Sequence, residues 1–85
     1  MAHILYFTAE WCNPCKRLKP IAENLEREGF VSFQYIDADD NHELCKKFKI
    51  SSVPTLIFIE SGIESRRMNG ATSRDGLLDF INGCN

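Results

Sequence analysis

A short apolar segment followed directly by an amphipathic helical pattern restricts the possible folds of this chain more than any other feature. The segment His3–Thr8 reads HILYFT, a run rich in β-forming residues and short enough for a strand buried on both faces. Asn13 and Pro14 then provide a helix start, with the proline at the first helical position, and Gly29 provides its end. Between these points one apolar stripe is formed by Leu18, Ile21, Ala22 and Leu25. A strand leading into such a helix indicates a βαβ unit with parallel strands.

The remainder of the chain continues the alternation of strands and helices. The further predicted strands are Val31–Ile36, Thr55–Glu60 and Ile63–Met68, and Leu44, Cys45 and Phe48 mark a short second helix. Ser61-Gly62 gives a hairpin signal between the last two strands. Thr72 and Asp75 have the spacing of a capping box, which predicts a third helix that ends at Gly83. The order βαβαββα predicts an α/β fold with a four-stranded mixed sheet, strand order 2-1-3-4, and helices on both faces, the first and third sharing one face.

The composition predicts a single domain, residues 1–85, and excludes several classes of function. A formal net charge of −2 gives no electrostatic footprint for nucleic acid. The longest apolar run, Leu56–Ile59, is far shorter than the ~20 residues that a helix needs to cross a bilayer. The segment from Met1 to Ile4 does not have the pattern of a signal peptide. We therefore expect a cytoplasmic protein with no membrane or nucleic-acid partner.

The cysteines fall into one close pair and two isolated residues. Cys12 and Cys15 are separated by two residues, whereas Cys45 and Cys84 stand alone in other segments. We expect Cys45 to be a small core residue and Cys84 a tail residue. Because thiols in an unexported protein are normally kept reduced, the close pair indicates redox chemistry or metal binding.

Cys12 lies where the first helix is predicted to begin, and Cys15 lies one turn deeper. The unpaired amide N–H groups and the positive end of the helix dipole lower the pKa of a thiol at such a position. We therefore predict that Cys12 is an exposed nucleophile and that Cys15 lies behind it and resolves the mixed disulfide. No cofactor is expected besides a redox-active Cys12–Cys15 disulfide.

The segment around these cysteines resembles the active site of the thioredoxin family. Residues 9–16 read AEWCNPCK, which is similar to the family motif Trp-Cys-Gly-Pro-Cys-Lys. Pro20 resembles the family's helix-kinking proline, and a kink rather than a break is expected there. The segment Ile50–Thr55 resembles the one that carries the family's cis-proline, and Gly70-Ala71 resembles the loop after the last strand. The resemblance runs from Leu5 to Phe80 and implies a minimal, glutaredoxin-sized version without the first strand and helix of full-length thioredoxins.

The resemblance implies a protein disulfide reductase and a set of site residues. It implies a substrate-contact surface made of Trp11, Asn13, Val53, Pro54, Gly70 and Ala71, and structural roles for Pro14 and Pro20. The peptide bond between Val53 and Pro54 is expected to be cis and to lie against the disulfide. The implied partners are disulfide-containing proteins, with ribonucleotide reductase as one fitting target, and an electron source of the thioredoxin-reductase type. We expect a monomer.

The chain departs from the family pattern behind the cysteine pair. The family buries an aspartate six positions before the first cysteine, near a lysine on the next strand, and here those places are Tyr6 and Phe33. Asn13 replaces the glycine of the motif, and Thr8 replaces a second tryptophan. The departures predict that Cys15 faces an apolar, desolvated pocket, which would raise its pKa.

Three alternatives compete with a thioredoxin-type reductase. A glutaredoxin-type, glutathione-dependent reductase fits the size of the chain, but Glu10 and Trp11 occupy the place of the cation that normally binds a glutathione carboxylate. A structural zinc site would use Cys12, Cys15, His42 and Cys45. A non-catalytic interaction module is the third alternative.

Overall fold

Four strands and three α-helices follow one another in a computed structural model that describes residues 2–83. The elements are β1 Ala2–Thr8, α1 Asn13–Arg27, β2 Ser32–Asp37, α2 His42–Lys47, β3 Thr55–Glu60, β4 Ile63–Asn69 and α3 Arg74–Asn82, with one turn of 3-10 helix, Ala38–Asp40, after β2. This order confirms the predicted βαβαββα pattern. The prediction for Cys84 falls outside the described residues. None of the helices within residues 2–83 is long and apolar enough to span a membrane.

The strands form one mixed sheet in the order β2-β1-β3-β4, as predicted. β1 and β2 are parallel, and β3 is antiparallel to both β1 and β4. The parallel register places Tyr6 opposite Tyr35 and Thr8 opposite Asp37. The carboxyl ends of β1 and β2 therefore lie at the same edge of the sheet, next to the start of α1.

The two faces of the sheet carry different helices. On one face α1 and α3 pack in a cluster that contains Ile4, Tyr6, Leu18, Leu25, Leu56, Phe58, Leu77 and Phe80. On the other face α2 and the segment after it cover Leu5, Phe7, Ile36, Ile57 and Ile59. Each fully buried apolar side chain contributes roughly 1.5–3 kcal/mol relative to an exposed one. The predictions of helices on both faces, and of the first and third on one face, are confirmed.

Helix α1 begins at the cysteine pair and ends at a glycine. Cys12 is its N-cap residue, so Pro14 is the second helical residue, one position later than predicted. The helix continues through Pro20 without a break. At its end Gly29 has a φ of +86°, a conformation that favours glycine, and its N–H donates to the Glu26 carbonyl. This turn ends the helix as predicted and directs the chain into β2.

Helix α3 is capped by residues from two parts of the chain. Ser73, not Thr72, is the N-cap residue, and its Oγ accepts a hydrogen bond from the Gly76 amide at 3.1 Å. The predicted capping box of Thr72 and Asp75 is therefore not formed, and Ser73 caps the helix alone because Gly76, three residues later, has no side chain to return a hydrogen bond. At the other end Gly83 ends the helix, as predicted, and its backbone is left-handed. Arg66 of β4 donates to the carbonyls of Phe80 and Ile81 there, at 2.7 Å each.

Candidate active site

Cys12 and Cys15 are joined by a disulfide at the first turn of α1. Their Cα atoms are 5.3 Å apart, and Cys12 has the extended backbone of an N-cap residue. The amide N–H of Cys15 donates to the Sγ atom of Cys12 at 3.2 Å. This amide is one of the N–H groups that a helix leaves without a partner in its first turn. In the reduced protein the same amide and the helix dipole favour a thiolate on Cys12.

Both sulfur-bearing residues are buried in the disulfide form. Cys12 is 4% exposed and Cys15 is 1% exposed, so the prediction of an exposed Cys12 is wrong. Ala9 and Val53 pack around the pair, and the Cys12 Sγ lies 3.7 Å from the Val53 carbonyl oxygen. The exposed residue of the site is the neighbouring Trp11, at 67%. The two-residue spacing predicts that the cysteines lie at the start of a helix. It gives no information about Val53, which comes from a distant part of the chain and packs against them.

The Val53–Pro54 peptide bond is cis, as the resemblance implied. A hydrogen bond helps to hold Val53 and Pro54 beside Cys12. The Gly70 N–H donates it to the Pro54 carbonyl oxygen at 2.8 Å. Gly70 has a φ of +87°, and Ala71 after it is exposed. The structure therefore brings Cys12, Val53, Pro54 and Gly70 to one place.

Trp11 lies over a small apolar pocket next to the disulfide. The pocket, of about 150 Å³, is also lined by Cys45, Ile50 and Val53. The Trp11 indole Nε1 donates to the Asp39 carboxylate at 2.8 Å. The sequence alone contains no local indication of this hydrogen bond, because 28 residues separate the two partners. The available signal was the parallel pairing of β1 and β2, which brings the residues after each strand together.

The four residues of the zinc alternative are not brought together. Cys12 and Cys15 share a disulfide, and the half-buried Cys45 directs its Sγ to the Ala38 carbonyl at 3.8 Å. His42 is exposed at the start of α2. In the part of the chain from residue 2 to residue 83, no group of three or more His, Cys, Asp and Glu side chains is placed to hold a metal ion. Cys45 instead packs against the second core cluster, which confirms its interpretation as a small core residue.

Two tyrosines lie behind Cys15. The fully buried Tyr6 donates from its hydroxyl to the Cys15 carbonyl oxygen at 2.9 Å. Its nearest aromatic neighbour is Tyr35, with ring centroids 5.1 Å apart, while the Phe33 ring is 6.4 Å away. Where the family places an aspartate near a lysine, this chain therefore has Tyr6 next to Tyr35, and Phe33 lies farther away.

The environment of these tyrosines keeps both of them neutral at ordinary pH. Burial, with the negative charges of Glu26 and Glu23, raises the pKa of Tyr35 to about 12. Burial, with Tyr35 and Glu23, raises the pKa of Tyr6 still further above its ordinary value. A phenol that stays protonated can donate a hydrogen bond but cannot act as a base at neutral pH.

Cys15 itself is buried, as the prediction of a desolvated residue requires, but the cavity beside it carries charged side chains as well as apolar surface. An open cavity of about 550 Å³ has Cys15 in its wall. Its other polar and charged lining residues are Thr8, Glu10, Lys16, Lys19, Tyr35 and Asp37. The sheet topology brings these polar residues to the cavity. Thr8 and Asp37, at the ends of β1 and β2, are paired at this edge of the sheet, beside the exposed face of α1.

Comparison with known proteins identifies the family of this chain. The model of the thioredoxin family matches residues 1–83. A thioredoxin from Chlamydia caviae is 39% identical over 80 residues, which cover 93% of this chain and 78% of the relative. The chain belongs to the thioredoxin family. A thioredoxin from Chlamydia pneumoniae is similar at 40% identity over 77 residues, covering 89% of this chain and 76% of the relative.

Solved structures of thioredoxins have the same fold. A mutant thioredoxin from Halobacterium salinarum aligns with a TM-score of 0.91 at 30% identity, over 96% of this chain and 73% of that structure. The thioredoxin of Fasciola hepatica aligns with a TM-score of 0.89 at 33% identity, over 99% of this chain and 81% of that structure. The thioredoxin-like fold class is confirmed.

Membership of the thioredoxin family, together with the Cys12–Cys15 disulfide, makes the protein a thiol–disulfide oxidoreductase. Thioredoxins in general act on disulfides of other proteins and take electrons from a reductase. The redox-active pair of such an enzyme stands at a helix start, which is where this chain carries it.

Proposed function

We propose that the protein is a protein disulfide reductase in which Cys12 attacks and Cys15 resolves, with no cofactor besides their own disulfide. The observation that supports this assignment most directly is the 3.2 Å hydrogen bond from the Cys15 amide to the Cys12 sulfur. That contact stabilises negative charge on Cys12 and not on Cys15, so it distinguishes the two roles.

The reaction transfers two electrons to the substrate disulfide. The Cys12 thiolate attacks one substrate sulfur, the substrate S–S bond breaks, and one substrate thiolate leaves. The Cys15 thiolate then attacks the Cys12 sulfur of the mixed disulfide, and the second substrate thiolate leaves. The products are the Cys12–Cys15 disulfide and a dithiol substrate that has taken up two protons.

The substrate is proposed to bind across the surface formed by Trp11, Val53, Pro54 and Gly70, with Asn13 and Ala71 at its border. Val53 precedes the β3 strand, and its carbonyl lies beside the Cys12 sulfur. An extended substrate segment that pairs with the Val53 backbone would bring its own disulfide to Cys12, which is a form of β-augmentation. The exposed Trp11 indole adds apolar contact area.

The direction of the reaction is inferred from the two residues between the cysteines. Asn13 and Pro14 place no cation beside the Cys12 sulfur. Without a cation to stabilise the thiolate, the reduced form is not stabilised strongly and the dithiol remains a reductant. We propose that a thioredoxin-reductase-type enzyme restores the dithiol, and that the protein acts as a cytoplasmic monomer on protein disulfides, those of ribonucleotide reductase among the candidates.

The decisive experiment is reduction of insulin disulfides under two electron supplies. With NADPH and thioredoxin reductase, the wild-type protein should reduce insulin catalytically, and with glutathione and glutathione reductase it should not. The exposed Glu10, which a glutathione carboxylate would meet, supports this preference. Turnover with glutathione alone would favour the glutaredoxin-type alternative. Failure under both supplies, in a protein whose cysteines can be reduced chemically, would overturn the proposed reductase.

A further inference from the structure

The proposed resolving step requires a thiolate on a residue that is almost completely buried. Cys15 is 1% exposed. The thiolate, and not the thiol, is the attacking species, and burial disfavours the charged form. Tyr6 contacts Cys15, but it donates to the carbonyl oxygen and stays protonated, so it cannot take the proton. The proton of Cys15 must therefore leave by another route.

The cavity beside Cys15 provides that route. At about 550 Å³ it has room for several water molecules, since one water occupies about 30 Å³ in the liquid. The Tyr35 hydroxyl, whose oxygen is buried, has no hydrogen-bond partner among residues 2–83. Buried hydroxyls in folded proteins are nearly always paired with a protein group or an ordered water. Because Tyr35 lines this cavity, a cavity water is the available partner.

Asp37 is the carboxylate that the fold fixes at this cavity. It is the last residue of β2, it is half-buried, and it pairs in register with Thr8. Its Oδ1 accepts a hydrogen bond from the Asp39 amide at 2.9 Å, which holds the side chain in one orientation. Within the described ranges its Oδ2 atom has no protein hydrogen bond. One oxygen is thus positioned by the backbone and the other is free for water.

The other charged groups at the cavity are less suited to this task. Glu10 lies in the connection between β1 and α1, is exposed, and has no hydrogen bond that orients it within residues 2–83. Lys16 and Lys19 face the cavity from α1, and Lys19 lies 5.3 Å from the centre of the Tyr35 ring. Both are cations that stabilise a nearby thiolate but cannot take its proton.

We propose that Asp37 accepts the proton of Cys15 through water held in this cavity by the Tyr35 hydroxyl. The inference rests on the proposed function, because only the resolving step uses a Cys15 thiolate. Cys15 gives its proton to the cavity water, and the water gives a proton to the Asp37 carboxylate. The Cys15 sulfur then attacks the Cys12 sulfur, the bond to the substrate breaks, and the substrate sulfur leaves with the electron pair. Asp37 afterwards returns the proton to solvent.

Asp37→Asn separates this role from a purely electrostatic one by the sign of its effect. A carboxylate that only lies near Cys15 raises the thiol pKa, so removing its charge would speed resolution. A carboxylate that accepts the proton speeds resolution, so removing it would slow the step. Asparagine keeps a side-chain oxygen that can accept from the Asp39 amide, so the local turn is preserved.

The test is stopped-flow reaction of the reduced protein with a fluorescent peptide disulfide. The first phase, attack by Cys12, depends on peptide concentration, and the second phase, resolution by Cys15, does not. In Asp37→Asn the second phase should be about 100-fold slower at pH 7, at the low end of the range for a positioned base. The rates should converge at high pH, where the thiolate forms without a base. The first phase should not change.

Two further variants complete the test. Tyr35→Phe should slow the second phase in the same direction but by less, and Glu10→Gln, the matched carboxylate control, should leave it unchanged. A second phase in Asp37→Asn equal to or faster than that of the wild type would overturn the inference. If Asp37→Asn does not fold, an unchanged second phase in Tyr35→Phe overturns it instead. Neither result affects the reductase activity of the wild type, which is measured separately with insulin.

Discussion

The two sides of the Cys12–Cys15 disulfide differ in what they contact. On the front side, towards solvent, Trp11 and Val53 border a small apolar pocket, and the Cys12 sulfur lies against a backbone carbonyl. On the back side, the Tyr6 hydroxyl donates a hydrogen bond to the Cys15 carbonyl oxygen, and an open cavity with charged residues in its wall adjoins Cys15. We propose that the front side binds the substrate protein and that the back side carries the proton of Cys15 away. In this proposal two neighbouring sulfurs acquire different roles because different atoms surround them.

The largest expected effect separates the two cysteines themselves. Cys12→Ser should lower insulin reduction by at least about 10³-fold, because a hydroxyl at this position is a far weaker nucleophile than a thiolate. Cys15→Ser should keep the first attack at close to the wild-type rate and accumulate a mixed disulfide. The measurement is the two phases of the stopped-flow reaction. Attack at a wild-type rate in Cys12→Ser would show that the front side does not hold the nucleophile.

The next effect tests the front side alone. Trp11→Ala removes an indole that is 67% exposed, together with its hydrogen bond to Asp39, so it should lower the free energy of unfolding by no more than about 1 kcal/mol. It should raise the KM for insulin by about 10-fold, which corresponds to about 1.4 kcal/mol of binding free energy. Phe30→Ala, at an exposed aromatic residue outside the site, is the matched control and should change neither quantity. A large loss of stability in Trp11→Ala would mean that Trp11 supports the fold instead of the substrate.

A smaller effect tests the back side through stability. Tyr6→Phe removes the hydroxyl that donates to the Cys15 carbonyl, which should lower the free energy of unfolding by about 1 kcal/mol. Tyr35→Phe is the matched control, because its hydroxyl has no protein partner in the described part of the chain, and it should cost less. Urea unfolding of both variants measures the difference. An equal loss in the two variants would contradict a specific role for the Tyr6 hydrogen bond.

The smallest expected effect is a loss of folding stability above pH 10, which is caused by ionisation of Tyr35. The folded-state pKa of Tyr35 is raised to about 12, above its ordinary value of 10.0. Since the folded protein holds this proton more tightly than the unfolded chain, the resulting stability is complete below pH 10 and is lost as the pH rises towards 12. The wild type should therefore lose stability between pH 10 and 12, and Tyr35→Phe should lose less of it. Thermal unfolding across this pH range measures the loss, and identical profiles for the two proteins would contradict the assignment.

The elements and the cysteine pair were predictable because their signals are local. The apolar run of β1, the apolar stripe of α1 and the spacing of Cys12 and Cys15 are each contained in a short stretch of consecutive residues. The cap at Ser73 was missed by one residue, because neighbouring Thr and Ser residues are both able to cap a helix. Local signals thus determine the order of elements and the position of the disulfide, but not the last residue of each boundary.

The surroundings of the disulfide were less predictable because they depend on contacts between distant segments. The burial of Cys12 follows from the position of Val53, 41 residues away, and the partner of Trp11 is Asp39 in another connection. Tyr6 and Phe33 predicted a desolvated Cys15, but they did not indicate that the parallel register brings Tyr35 next to Tyr6 and Asp37 to the cavity. A one-dimensional pattern identifies which residues carry chemistry, whereas the sheet register decides which of them meet.

The division of roles between the two sides of the disulfide is tested most directly by locating the first covalent bond to a substrate. The reduced wild-type protein is mixed with a peptide disulfide, quenched with acid within milliseconds, and analysed by mass spectrometry after digestion. We predict that the trapped peptide is attached to Cys12, and that Cys15 carries none before the Cys12–Cys15 disulfide forms. Peptide attached first to Cys15 would contradict the account.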